Sequence, residues 1–353
     1  MIFNPFKVIR KTFLGVDIGV SSIKVVEISR WGGKTELKNY GHIASSAVYQ
    51  KPYQGFGEES NFMISSPDVS KIIKAILKEA NIKTKEAVFT IPDFSTFFTN
   101  FDLPPMSEEE IPDAVKFEAR RHIPVPVSDV VLDWFLIGGK VGKTGTNLSI
   151  LLVAVPKETI ARYQEIAKAS SLNLRYLEAE AFSLARSLIK KTKESICLVD
   201  IGAQSTSVNI VDEGLLKLSY SSDISGNDFT RALSKSLSVS PKEAEEIKKN
   251  QGLSSEQTKE ILFPLVNLII IEIEKILKNF ETIDKRIRKI VLAGGSALLP
   301  GLDEYLSSYF KRPVKIADPF FGFVYPPVLE KKLKALGPSF AIAVGAALRG
   351  FES

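Results

Sequence analysis

Thr12 to Ile18 is a short apolar run, and Ile23 to Ile28 is a second one beyond a Gly/Ser turn. A Gly-Gly loop in "RWGGKTE" then leads into "LKNYGHIAS". Short apolar runs punctuated by glycine turns predict strand, turn, strand, hairpin, strand. Asn39 to Gly55 reads as a loop rich in Tyr, Gly and Pro. From Pro67 to Glu79 the period becomes helical, with Val69, Ile72, Ile73, Ile76 and Leu77 on one face.

The opening pattern returns in "ICLVDIGAQSTSVNIVDEGLLKLS". Again there is a strand, an Asp-Ile-Gly turn, a strand, a glycine turn and a strand. The side chains differ, so the repeat is one of structural order and predicts two similar lobes rather than a solenoid. Between the repeats, Glu86 to about Ser171 reads as an inserted subdomain. It holds the Phe-rich "EAVFTIPDFSTFFTNFDLPP", the helix-like "SEEEIPDAVKFEARRHIP", a hairpin from "VVLDWFLIGG" and "NLSILLVAVP", and the helix "KETIARYQEIAKASS". Ser107 with Glu110 three residues on has the form of a capping box. Pro112 predicts a kink or a short turn ahead of the main helix. The first lobe core is expected over 1–85 and 172–190. The second is expected over 191–337, with a mostly helical part over about 227–281. A closing helix over 338–353 is rich in small residues: Ala341, Ala343, Gly345, Ala346 and Ala347. Gly345 in its interior costs about 1 kcal/mol relative to Ala, which close backbone packing would justify.

A chain of 353 residues suits two lobes better than one core. Its 44% hydrophobic and 25% charged residues are those of an ordinary globular protein. The net charge of +5 is spread with interspersed Lys and Glu, so a mixed surface accounts for it without a nucleic-acid partner. The one cysteine, Cys197, excludes a disulfide scaffold and fits a reducing compartment as a buried thiol. With two histidines, His42 and His122, a His/Cys metal site is excluded. The start shows no signal-peptide h-region. Phe3, Phe6 and Ile9 are either a terminus leading into the first strand or a membrane-touching edge. The run "ILFPLVNLIII" is too short to span a bilayer and is expected to be interrupted at Pro264 and Asn267.

The candidate chemistry lies in three glycine turns. In "LGVDIGVSSIK" a strand delivers Asp17, Gly19 allows a tight turn, and Ser21 and Ser22 offer N–H groups and hydroxyls with Lys24 just beyond. Such a nest suits phosphate oxygens; an ordinary hairpin with a capping Asp is the other reading. "DIGAQSTS" supplies Asp200, Gly202, Gln204, Ser205 and Thr206. Two such turns would supply donors for a di- or triphosphate, and their carboxylates would hold Mg²⁺ through water. In "VLAGGSALLPGL" glycines between a buried strand and a helix permit close approach of an anionic ligand to backbone N–H groups. There is no Walker motif.

In this order the turns resemble those of the actin-like ATPase superfamily, an α/β, ribonuclease H-like, two-lobed fold, over nearly the whole chain. "LEAEAFSLARSL" and "FAIAVGAALR" resemble its two connecting helices. The insertion in the first lobe, and "NFDLPPMSEEEIPDAVKFEARRHIPVPVSDVVLDW" in particular, resembles the FtsA-related PilM family of type IV pilus assembly. That resemblance implies ATP with Mg²⁺ organised by Asp17 and Asp200. It places Gly19, Ser21, Ser22, Lys24, Gly202, Gln204, Ser205 and Thr206 at phosphates, and Gly226, Gly294, Gly295 and Ser296 at ribose and adenine. Glu245 and Lys248, three apart on a helix, are either an adenosine-meeting pair or a solvated ion pair. Glu180 takes the place of a water-orienting acid, or is a cap; Ala181 stands where the chaperone ATPases carry proline. The resemblance also implies a cytoplasmic scaffold that binds the cytoplasmic tail of a PilN-like single-pass membrane protein and meets other platform proteins. It reaches the membrane only through that partner. An FtsA-like polymerising protein, which would self-associate, and a small-molecule kinase are the alternatives. FtsA carries a linker and amphipathic helix after this region, whereas this sequence closes at "ALRGFES", which favours PilM.

Overall fold

The computed structural model describes residues 11–44, 65–142, 144–190, 192–282 and 285–352. Phe3, Phe6 and Ile9 and most of the loop expected up to Gly55 lie outside these. The chain divides into two compact units. One comprises Met1–Ile91, Ala161–Leu188 and Asp318–Ser353, the other Pro92–Ile160 and Ile189–Ala317.

The first unit is built on a five-stranded sheet. Its strands are β1 (Lys11–Ile18), β2 (Ser22–Trp31), β3 (Lys34–Ala44), β4 (Glu86–Ile91) and β8 (Asn173–Ala179), in the order β3-β2-β1-β4-β8. The first three form an antiparallel meander, and β4 and β8 add parallel to β1. Side chains alternate along a strand, so β1 and β2 feed two cores. Leu14, Val16, Ile23 and Val25 pack with α1 (Ser66–Glu79) and with Tyr163, Ile166 and Ala167 of α3 (Lys157–Ala169). Val26, Ile28 and Leu37 pack with Phe340, Val344 and Ala347 of α9 (Glu330–Arg349). Strand β4, buried along nearly its whole length, sits centrally between β1 and β8. The insertion expected from Glu86 therefore begins only after Ile91. The inward face of α3 likewise belongs to this core and not to the insertion.

The second unit repeats the order. Its strands β9 (Ile196–Ile201), β10 (Thr206–Asp212), β11 (Leu215–Ser222), β12 (Lys289–Ala293) and β13 (Val314–Ile316) run β11-β10-β9-β12-β13. The meander is again antiparallel and the last two strands again parallel. Helices α5 (Gly226–Leu237), α6 (Pro241–Gln251) and α7 (Glu256–Phe280) lie between β11 and β12, and α8 (Leu302–Phe310) between β12 and β13. Phe229, Leu233, Leu262, Val266, Ile269 and Ile273 pack on Val199 and Ile201. Cys197 is fully buried there, and burial pushes its thiol up to about 12. The same unit carries the insertion: strands β5 (Phe97–Leu103), β6 (Val130–Gly138) and β7 (Leu148–Pro156), in the order β5-β7-β6, with α2 (Ile111–His122). Its core joins Leu103, Ile111, Val115, Ala119 and Ile150. The Ser107–Glu110 capping box is present, and a three-residue 3-10 turn precedes α2. The insertion meets β11 through Asn100 Nδ2, which donates to the Lys217 carbonyl at 2.6 Å, and through Lys217 Nζ, which donates to the Ile137 carbonyl.

Two helices run through prolines that were expected to bound or break them. Pro264 lies inside α7 on its exposed side, so water reaches the carbonyl that loses its partner. Helix α9 starts at Glu330, ahead of the expected 338, and carries Pro338 in its interior. Among the described residues no helix is long and apolar enough to cross a membrane.

The small-residue face of α9 is used as expected. A Cβ on Gly345 would lie 1.8 Å from the Ser183 carbonyl oxygen of α4 (Glu180–Leu188). One on Gly15 of β1 would lie 1.9 Å from the Ala343 carbonyl oxygen. Arg186 of α4 ties the contact, donating to both oxygens of Glu178, to Glu352 at 2.9 Å and to the Gly345 carbonyl at 3.4 Å. Replacing Gly345 by Ala would gain about 1 kcal/mol of helix propensity, but the clash is with backbone that cannot rotate away. We therefore expect Gly345→Ala to lose about 2 kcal/mol or more of stability, read as a lower urea midpoint at unchanged slope.

Candidate functional site

The two Asp-Ile-Gly turns share one geometry. The Gly19 N–H donates to the Ser22 carbonyl at 3.1 Å, and the Gly202 N–H to the Ser205 carbonyl at 2.9 Å. These two N–H groups close the turns and are not presented outward. In the first turn Asp17 is 3% exposed and pairs with Lys24 Nζ at 2.9 Å, its cross-strand neighbour on β2. Lys24 thus reaches Asp17 in this structure, not the space beyond the turn. Ser21 is exposed and Ser22 partly so. Glu180 heads α4, and both it and Asp17 act with burial to raise the Tyr163 hydroxyl above the ordinary tyrosine range. Burial is the largest of the three causes. Tyr163 was not legible as a site residue, since on α3 it shares the buried face with Ile166 and reads as core.

In the second unit the predicted residues converge. The Gly226 N–H donates to the Gly202 carbonyl at 2.8 Å and the Asn227 N–H to that of Ala203 at 3.2 Å, so the start of α5 sits on the turn. A Cβ on Gly226 would meet Ser296 Oγ at 2.3 Å. Gly294 has φ of +86°, and a Cβ there would fall 2.6 Å from Asp200 Oδ1 and 2.4 Å from the Ile201 carbonyl. Only glycine meets both demands. Asp200, Gly202, Gly226, Gly294 and Ser296 thus form one contiguous surface. Gly295 differs: a Cβ there meets nothing within 4 Å and φ is not positive, so packing gives no reason for a glycine. Gln204 Oε1 is buried with no hydrogen-bond partner, an acceptor that only a donor could satisfy. Thr206 is buried and donates to the Ile224 carbonyl at 2.6 Å, so its hydroxyl locks the turn and is not offered as a donor.

Glu245 and Lys248 of α6 are not a solvated pair. Lys248 is 7% exposed, and its three ammonium protons meet Glu245 at 2.6 Å, Thr230 Oγ1 at 2.9 Å and the Gly226 carbonyl at 3.0 Å. Thr230 Oγ1 in turn lies 2.6 Å from Glu245. This network pins α6 to the start of α5, where the glycine surface is. Thr230 was missed; its spacing of four from Gly226, which places both on one face of α5, was the available signal. Burial works against the Glu245 carboxylate, but the Lys248 charge and hydrogen bonds outweigh it and hold the carboxyl below its ordinary range.

Among the described residues there is no group of three or more His, Cys, Asp or Glu that could cage a metal. Single carboxylates such as Asp200 and Asp17 fit a Mg²⁺ that keeps its waters and relies on ligand phosphates.

The family model described as type IV pilus assembly protein PilM matches residues 15–351. The chain belongs to the PilM family. A solved PilM-PilN type IV pilus biogenesis complex contains a chain 26% identical to this one, with a TM-score of 0.82, over 96% of this chain and 98% of that one. Among curated proteins, the cell division protein FtsA of Streptococcus pneumoniae serotype 2 is 21% identical, over 87% of this chain and 75% of that protein. The fold is that of the actin-like ATPases. Spiroplasma citri MreB 5, solved bound to AMPPNP, shares it at a TM-score of 0.54 and 15% identity, over 97% of this chain and 96% of that one.

The lowered Glu245 carboxyl contributes stability that is present above the unfolded-state value of about 4.3 and is lost as pH falls through the lowered folded value. Glu245→Gln should cost about 1 kcal/mol at pH 7, after allowing for its partial exposure. In thermal melts the difference from wild type should be full above the unfolded-state value and shrink as the pH falls below it.

Proposed function

We propose that this PilM-family chain is a cytoplasmic, ATP-binding scaffold of the type IV pilus inner-membrane assembly platform. It sits at the membrane through the cytoplasmic tail of a PilN-like single-pass protein and meets other platform proteins. The observation that carries the nucleotide part is the glycine surface of the second unit, where Gly226 and Gly294 bring Ser296 and Asp200 together and Gly295 leaves open space beside them. In this reading Gly294, Gly295, Ser296 and Gly226 take ribose and adenine, with Glu245, Lys248 and Thr230 holding the wall behind them. The turn at Gly202–Ser205 and the turn at Gly19–Ser22 take phosphates. Asp17 in the first unit and Asp200 in the second are the carboxylates that would hold Mg²⁺ through water, and the ion would supply charge that neutralises phosphates. Glu180 is the group to test for water activation. Family membership and the 26% identical chain of the PilM-PilN complex support the partner.

Calorimetry with MgATP should show binding to wild type and at least a tenfold loss in the Asp17→Ala, Asp200→Ala double variant. Gly295→Phe should melt like wild type but fail to bind. A folded, nucleotide-free wild type that takes up no ATP would leave a pure protein-binding scaffold. Coupling of sites is commonly worth about 5- to 150-fold. Affinity for a PilN-like tail peptide should accordingly change at least about fivefold with ATP, and equal affinities would remove the coupling.

A further inference from the structure

A cavity of about 360 Å³ lies in the first unit, lined by Lys74 and Lys78 of α1, Lys85 just before β4, Asn81, Ser170 and Ser171. Leu77 and Ile82 give it an apolar floor. It sits at the end of the sheet where β4 and β8 begin, with Glu86 paired to Asn173. Asp17 lies toward the other end, since β1 and β4 run parallel.

Three ammonium groups line the cavity and no carboxylate does. Among the described residues none of the three has an acid within 4 Å, although other surface lysines, such as Lys71, have found one. Lysines near helix ends commonly serve the last carbonyls. Here that need is met by backbone. At the end of α1 the Ala80 and Ile82 N–H groups donate to Ile76 and Leu77 at 2.9 and 2.8 Å, with Asn81 left-handed at φ +50°. At the end of α3 the Ser170 and Leu172 N–H groups donate to Ile166 and Ala167 at 2.8 and 3.0 Å, with Ser171 at φ +58°. The lysines are therefore not capping groups. At the cavity wall Ser170 is 1% exposed, and its Oγ has no hydrogen-bond partner. A buried hydroxyl is ordinarily paired. A ligand oxygen that reached it would pair it, and an anion there would meet three lysines that no acid in the described residues neutralises.

We propose that this cavity binds a phosphate group, as an ester whose uncharged stem rests on Leu77 and Ile82. An anionic phospholipid headgroup and a soluble phosphoester share that chemistry.

The test uses the full chain. Binding is measured to phosphatidylglycerol and phosphatidylcholine vesicles by sedimentation, and to inorganic phosphate and glycerol 3-phosphate by calorimetry. The variants are Lys74→Gln with Lys78→Gln and Lys85→Gln, Ser170→Ala alone, and a charge-matched control, Lys242→Gln with Lys278→Gln and Lys315→Gln. The cavity triple variant should lose at least tenfold in affinity, and the control less than twofold. Ser170→Ala should weaken binding without lowering the melting temperature, because no partner in the protein loses a bond. MgATP binding should be the same in all. Loss confined to phosphatidylglycerol vesicles identifies a lipid headgroup, and loss for the small phosphates identifies a soluble ester. Absence of binding by wild type would overturn the proposal. So would equal losses in cavity and control variants, or capture of poly-glutamate that phosphate does not displace.

Discussion

The first unit depends on a backbone-to-backbone contact. Helix α9 lies against β1 at Gly15 and against α4 at Gly345, each at a distance that no side chain larger than hydrogen allows. Asp17 follows Gly15 by two residues and Glu180 precedes Ser183 by three, so one helix sets both. The contact is buried and rich in alanine and glycine, and dispersion over a close-packed face holds it. Arg186, bridging Glu178, Glu352 and the Gly345 carbonyl, fixes rotation about the helix axes, which small residues alone leave free.

The second unit reaches the same end by polar means. The turn after β9 is closed on itself, then on the start of α5, and α5 is tied to α6 by Lys248. Each link is a satisfied hydrogen bond to backbone. A group lost from such a network leaves a buried partner unpaired, which costs more than the bond was worth. The left-handed Gly294 beside Asp200 completes this wall, placing strand end and carboxylate in van der Waals contact.

Much of this was legible because its signals were local. Asp-x-Gly after an apolar strand, the Ser107 capping box and the Ala/Gly stripe of α9 each depend on neighbouring residues only. The boundary at Glu86 was misplaced because a strand's run of apolar residues does not say which sheet it joins; pairing of β4 with β1 is a long-range fact. Pro264 and Pro338 misled for a related reason, since local propensity yields to packing over a long helix. The pair Glu245 and Lys248 stayed open between two readings because the sequence does not reveal that Thr230 and Gly226 lie across from Lys248. Tyr163 was hidden by its own suitability for a core.

The repeated sheets invite one more reading. Both units keep the same five-strand order but are elaborated at different crossovers. Between the third and fourth strands the first sheet has α1 and the second has α5, α6 and α7; between the fourth and fifth the chain of the first sheet passes through the insertion, which packs as part of the second unit, and α3, while the second has α8. Growth at a crossover leaves strand register intact, because register is set by the buried faces. The ends of β1 and β9 are thus insulated from what is added elsewhere. Such a scaffold is evolvable in parts: loops and subdomains can diversify toward new contacts while the two Asp-bearing turns are inherited unchanged.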